Sequence, residues 1–237
     1  MQTTIILVHG AFAESSSWHG VAEKLPSEHR VVAYANPLRG IAHDALGLTD
    51  LVRSIKGPIV LVGHSYGGAV ITNVAPDAGD IAGLVYVAAF ALDAGESPGA
   101  AASLAPGGTL GETLEQVGIS DGGIDLYISQ ERFHAQFCAD VSEDEARLLA
   151  MTQRPITEAA LTEPAGDQPL WRSVPSWFIF GDQDRNIPVA AHRIMADRAG
   201  ARRIVEIAGA SHVVGVTHPD ATADMIKEAA HSSQPVI

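Results

Sequence analysis

The segment Ile59–Val70, IVLVGHSYGGAV, constrains this chain more than any other stretch. Four β-favouring apolar residues behind Pro58 read as a short strand covered on both faces, which in a chain of mixed elements points to a parallel sheet. The small-residue run after Ser65 reads as a helix. Gly63 and Gly67 flank the turn between them, where backbones are expected to approach so closely that a Cβ has no room. Such a turn holds Ser65 out at the end of the sheet in a strained conformation. G-x-S-x-G between a strand and a helix is the setting in which a serine serves as an exposed nucleophile.

The rest of the chain supplies the sheet that this turn needs. Strands are expected at Thr3–Val8, Arg30–Tyr34, Pro58–Val62, Ala82–Ala88, Ser176–Phe180 and Arg203–Ile207. Between and after them, helices are expected at Trp18–Leu25, His43–Ile55, Gly67–Val74, Val189–Ala199 and Asp220–Ala230, with Leu48, Leu51, Val52 and Ile55 at helical spacing. This alternation implies right-handed crossovers and an α/β architecture with a mostly parallel sheet.

The interval 92–172 breaks the rhythm. It opens on a Gly-, Ala- and Pro-rich stretch, and then Leu114–Val117, Ile124–Cys138 and Glu143–Met151 carry helical patterns, the last with Ser142 as N-cap and Glu145 three residues on. A structureless loop of this length does not suit a compact domain. The interval is therefore expected to be a mostly helical cap inserted into a core formed by 1–91 and 173–237, covering the sheet end that carries Ser65.

A serine hydroxyl is a poor nucleophile at neutral pH, so Ser65 needs a base and a group that orients the base. Two places downstream can supply them. In IFGDQDRNIP, Ile179–Pro188, both Asp182 and Asp184 follow a strand; Asp184 is favoured because the turn needs length to bring a carboxylate back over the strand end, and Asp182 suits bonding to the loop backbone. In IAGASHVVGVTHP, Ile207–Pro219, His212 follows the last strand, while His218 beside Pro219 reads as a structural or capping residue. Acyl transfer also needs N–H donors for the developing oxyanion. The Tyr66 N–H, directly after the nucleophile, is one; the loop VHGAFAESSSW offers Ala11 as first choice and Phe12 as second for the other. His9 is expected to brace that loop, and Ser15, Ser16 and Ser17 to cap the helix near Trp18. His64 is expected to pack and bond within the turn.

Composition excludes other classes. The 237 residues are 46% hydrophobic and 18% charged, ordinary for one globular domain and unlike a disordered chain. No apolar run approaches the roughly 18 residues that span a bilayer. Met1-Gln2-Thr3-Thr4 lacks the basic region of a secretory signal, and Ile5–Val8 is too short for its apolar core, which points to the cytoplasm. A net charge of −13 repels phosphate backbones and anionic membranes, so the expected partner is a small molecule, not nucleic acid or a membrane. Cys138, the only cysteine, allows no internal disulfide and no thiolate metal cluster, and reads as a half-buried small hydrophobe on a helix. Nothing in the pattern specifies an oligomeric state.

From VHGAF through GHSYGG and GDQDRNIP to GASH, the chain resembles α/β-hydrolase fold enzymes, and within them small carboxylesterases similar to plant methylesterases and hydroxynitrile lyases. The resemblance implies Ser65 as nucleophile, Asp184 as acid, His212 as base and the Ala11 and Tyr66 N–H groups as oxyanion donors. It implies no metal or organic cofactor, and hydrolysis of a small, poorly charged ester through an acyl-enzyme. Members often carry extra antiparallel strands ahead of the first parallel one; a strand starting at Thr3 implies a shortened sheet of about six. Ser65 in place of Asp argues against the related dehalogenases and epoxide hydrolases. The lyases carry Thr after the first-strand His and Lys after the catalytic His, where this chain has Gly10 and Val213. That departure favours hydrolysis over carbon–carbon cleavage or cofactor-free oxygenation. A catalytically idle ligand-binding protein is the competing class, against which a complete set of catalytic residue types speaks.

Overall fold

The computed structural model describes residues 2–120 and 122–232. The first half alternates as the sequence pattern requires: β1 (Thr4–Val8), α1 (His19–Ala22), β2 (Arg30–Tyr34), α2 (Ile41–Arg53), β3 (Ile59–His64), α3 (Tyr66–Thr72) and β4 (Ile81–Val87). The interval that follows contains α4 (Pro98–Ala102), β5 (Leu114–Gly118), β6 (Ile124–Ile128), α5 (Gln130–Phe137), α6 (Glu143–Thr152), β7 (Ile156–Thr157) and α7 (Glu158–Thr162). The alternation then resumes with β8 (Ser176–Gly181), α8 (Val189–Arg198), β9 (Arg203–Ile207), α9 (Val214–Thr217) and α10 (Pro219–Ser232).

Six strands form one sheet in the order β2-β1-β3-β4-β8-β9, every neighbouring pair parallel. Hydrophobic content decides position within it. β1, β3 and β8 are buried along their whole length, whereas β2 and β9, which take the edges, alternate with exposed residues. The chain leaves β1 toward β2 and returns to β3 on the other side, so the strand order reverses between β1 and β3. Loops leaving neighbouring strands diverge at such a point and open a crevice beyond the strands' carboxyl ends. The loop after β1 and the turn after β3 meet there.

The interval 92–172 carries α4 to α7, but also strands that the sequence pattern did not show. Leu114–Val117 and the start of Ile124–Cys138, expected as helix, are instead β5 and β6, an antiparallel hairpin to which β7 adds. Leu126 and Ile128 are buried with less buried Tyr127 between them, a period of two that a short apolar run conceals. Gly122, at φ 90°, lets the hairpin turn close. Helix α6 forms where expected, with Ser142 Oγ accepting from the Glu145 N–H at 3.3 Å. The segment is tied to the sheet by Phe12 N–H to the Arg154 carbonyl (3.0 Å), Thr157 N–H to the Leu38 carbonyl (3.1 Å) and an Arg39–Asp125 ion pair (2.6 Å).

Two local expectations also change. The serines of the first loop cap no helix: Ser15 Oγ donates to the Tyr34 carbonyl, Ser16 Oγ to the Glu14 carboxylate and Ser17 Oγ to the Glu14 carbonyl. Edge strand β2 and Glu14 reach these hydroxyls first. Cys138 is fully buried at the end of α5, not half-buried, and burial pushes its thiol up to about 12. No helix among the described residues is long and apolar enough to cross a membrane.

Candidate active site

Strand β3 ends at His64 and α3 begins at Tyr66, leaving Ser65 alone to make the turn. It does so at φ 53° and ψ −122°, a conformation that costs a non-glycine residue about 1–3 kcal/mol and persists only when its surroundings enforce it. They do. The Ser65 N–H donates to the Val87 carbonyl, and the Ser65 carbonyl accepts from the Gly68 and Phe90 N–H groups. A Cβ on Gly67 would lie 2.3 Å from the Val8 carbonyl oxygen, and one on Gly10 would lie 2.6 Å from Ser65 Cβ. The two backbones touch the serine turn at distances open only to glycine.

The β8 and β9 loops bring up the other two candidates. Asp184 is buried after β8 and accepts four hydrogen bonds: Oδ1 from the Asn186 and Ile187 N–H groups at 2.8 and 3.0 Å, Oδ2 from His212 Nδ1–H at 2.7 Å and from His192 Nε2–H at 3.0 Å. Burial pushes its carboxyl up, but the two imidazoles outweigh burial and hold it well below the usual carboxylate range. Asp182 accepts from the Gly209 N–H at 2.8 Å, tying the two loops together, and is not in this cluster. An ionised carboxylate only accepts, so Nδ1 of His212 carries a proton, and in the neutral ring Nε2 is left with a bare lone pair. That Nε2 is buried and has no hydrogen-bond partner among the described residues.

The imidazole of His212 is boxed between the rings of His64, 4.9 Å away, and Phe137, 5.2 Å away. His64 does not bond within its own turn; its Nε2–H donates to the His212 carbonyl at 3.1 Å, so the residue before Ser65 holds the loop of His212. Burial pushes His64 down to about 3, with the neighbouring His212 adding to the effect, and a neutral donor is what the contact needs. Asp184 and His212 are thus in contact, and His212 stands beside the serine turn. No hydrogen bond joins Ser65 Oγ to His212 Nε2 in this structure.

Of the three expected oxyanion donors, Phe12 is already engaged: its N–H donates to the Arg154 carbonyl. The Ala11 and Tyr66 N–H groups have no acceptor among the described residues, and both residues line the same cavity as Ser65. His9 braces the loop as expected, Nδ1–H donating to the Gly10 carbonyl and Nε2 accepting from the Asn36 N–H. Burial brings it down to about 4, which keeps Nε2 free to accept.

The cavity beyond Ser65 measures about 660 Å³. Phe12 and Phe90 from the core and Ala102, Leu110, Leu114 and Leu161 from the cap segment supply apolar wall, and no ionisable side chain except the Tyr66 phenol lines it. That phenol donates to buried Asp44 at 3.0 Å. No metal-binding group of His, Cys, Asp or Glu occurs among the described residues. Sequence reasoning missed His192, Asn36 and Arg154. The signal for His192 was its place one turn into a helix that starts just after the Asp184 loop.

Residues 5–225 match the model of the alpha/beta hydrolase family. Methylesterase 2 of Arabidopsis thaliana is 27% identical over 247 residues, covering 92% of each chain. Polyneuridine aldehyde esterase superposes with a TM-score of 0.79 at 20% identity, covering 97% of this chain and all of its own. An extracellular alpha/beta-hydrolase from a Paenibacillus species gives 0.76 at 21% identity, over 96% and 98% of the two chains. With a family model spanning nearly its whole length, a reversing parallel sheet and a serine turn at the reversal, this chain belongs to the alpha/beta hydrolase family.

Proposed function

We propose that the protein is a serine carboxylic-ester hydrolase that works through an acyl-enzyme. The observation that carries this reading is the 2.7 Å Asp184–His212 contact, which leaves His212 Nε2 as an unpartnered base beside the strained Ser65 turn. Rotation of the Ser65 hydroxyl toward His212 closes the pair. Nε2 takes the proton as Oγ attacks the ester carbonyl, and Asp184 stabilises the imidazolium that forms. The Ala11 and Tyr66 N–H groups receive the oxyanion, a contribution of about 3–4 kcal/mol per donor in comparable sites. His212 returns its proton to the departing alcohol, then activates the water that frees the acid.

The walls indicate the substrate. With no Lys, Arg or His among its lining residues, the cavity has nothing to neutralise an anion, and with no Asp or Glu nothing to pair a cation. A neutral ester of a compact apolar acid fits it. Gly10 and Val213, where the resembling lyases carry Thr and Lys, favour water as the second reactant over cleavage of a carbon–carbon bond. The esterase names of the relatives agree with this class.

Hydrolysis of p-nitrophenyl acetate and butyrate tests the reading, together with labelling by a fluorophosphonate. Turnover and labelling are expected in the wild type and absent in Ser65→Ala. An idle binding protein neither turns over nor labels. Turnover that survives Ser65→Ala would remove the nucleophile from the mechanism.

A further inference from the structure

Asp184 has a second histidine that the proposed cycle does not use. His192 lies in the first turn of α8, with its side chain fully buried and its ring stacked on Phe180 of β8 at 4.8 Å and 10° between planes. Stacking fixes the ring plane, and Nε2–H is thereby aimed at Asp184 Oδ2, the oxygen that also receives His212 Nδ1–H. The other nitrogen, Nδ1, is buried without a partner among the described residues. A second proton on His192 would have no acceptor there. Burial lowers the proton affinity of the ring, the Asp184 charge opposes that fall, and His212 adds to it. With burial opposing a second proton and no acceptor for one, His192 is held as a neutral donor.

A neutral donor here has two effects. It closes the fourth acceptor site of Asp184, so the carboxylate cannot turn about its Cβ–Cγ bond and the Nδ1–H of His212 is held in one direction. It also shares Oδ2 with His212, so that two N–H groups divide the charge of one carboxylate oxygen. We propose that His192 is a positioning residue for the acyl transfer described above, sharing Asp184 Oδ2 with His212 so that the Nδ1–H of His212 is held in one direction. The proposal rests on the assignment of Ser65, Asp184 and His212 as the reacting set. The charged and titratable groups that face this cluster are Asp184 from the β8 loop, His212 and, through it, His64 at the end of β3.

The test is a pair of variants in the full chain. His192→Leu keeps apolar volume and removes the donor; His192→Gln keeps an N–H that reaches the carboxylate. Steady-state hydrolysis of p-nitrophenyl butyrate is followed across pH, thermal melting is measured on the same samples, and the low-field proton signal of the His212–Asp184 hydrogen bond is recorded by NMR. His192→Leu is expected to lose about 10- to 100-fold in kcat with little change in KM, the cost of a misdirected base. The low-field signal is expected to shift, because one of the two donors to Asp184 Oδ2 is lost. His192→Gln is expected to restore most of the rate and to return the signal toward its wild-type position. An unshifted low-field signal in His192→Leu, or equal losses in both variants, overturns the proposal and leaves His192 as packing alone. Failure of the underlying reading is distinguishable, because it shows as turnover surviving in Ser65→Ala.

Discussion

Replacing Asp184 by Asn separates charge and proton placement from shape. The native carboxylate accepts at both oxygens, twice each. An amide has one oxygen. The Asn186 and Ile187 N–H groups have no alternative form, so the oxygen turns to them and the NH₂ turns to the two imidazoles. Each imidazole then accepts the amide N–H only as its other tautomer. For His212 this moves the proton to Nε2, which then cannot take one from Ser65 in the proposed cycle. For His192 it moves the proton to Nδ1, which has no acceptor, a cost of about 1–3 kcal/mol for a buried donor. The expected result is a folded protein, less stable by about that amount, whose kcat/KM is down by about 10⁴, or about 5.5 kcal/mol in the barrier. The pH dependence adds a check. Asp184 has an ordinary value of 3.8 and a lower one in the fold, so its charge supports stability above 3.8 and that support is lost as pH falls toward the lowered value. The stability gap between wild type and Asp184→Asn is therefore widest near neutrality and narrows in acid. Ester hydrolysis and urea unfolding across pH measure both quantities. A folded Asp184→Asn variant within tenfold of the wild-type kcat/KM would refute the tautomer argument.

Three other perturbations follow from the same contacts. Gly67→Ala places a methyl 2.3 Å from the Val8 carbonyl oxygen in a central strand, so a loss of about 3 kcal/mol or more is expected in chemical denaturation. A variant as stable as the wild type would show that the turn is looser than described. His9 and His64 fall from 6.5 to about 4 and about 3, so the unfolded chain binds protons that the native one refuses; stability is complete above 6.5 and declines as pH drops toward 4. The decline in urea midpoint should be shallower in His64→Gln, and an identical slope would contradict the assignment. Cys138, fully buried with its thiol pushed up to about 12, should not react with Ellman's reagent at pH 8 until guanidinium unfolds the chain. Rapid modification of the native protein would place the thiol elsewhere.

The first of these arguments depends on His192, whose one signal in the sequence was its place in the helix that follows the Asp184 loop. Other parts were legible because their signals are local. A strand buried on both faces must be apolar throughout, so β1, β3 and β8 stand out from their neighbours. A serine turn that touches two backbones must be flanked by glycine. Loops that follow strands in one parallel sheet share one end, which is why Ser65, Asp184 and His212 could be grouped as candidates from the sequence. The cap hairpin was misjudged because a five-residue run such as Ile124–Ile128 offers too few turns to distinguish a period of two from one of 3.6.

What the residues dictated by themselves is the order of strands and helices in the core, the strained serine turn and the chemistry its neighbours could supply, because these depend on contacts within a few residues or on a shared sheet end. The tertiary structure alone decided which aspartate meets His212, that the Phe12 N–H is spent on Arg154, and that a second imidazole lies on Asp184. Each depends on the direction of a side chain or N–H across two or three elements, and packing sets that direction only once the elements are assembled.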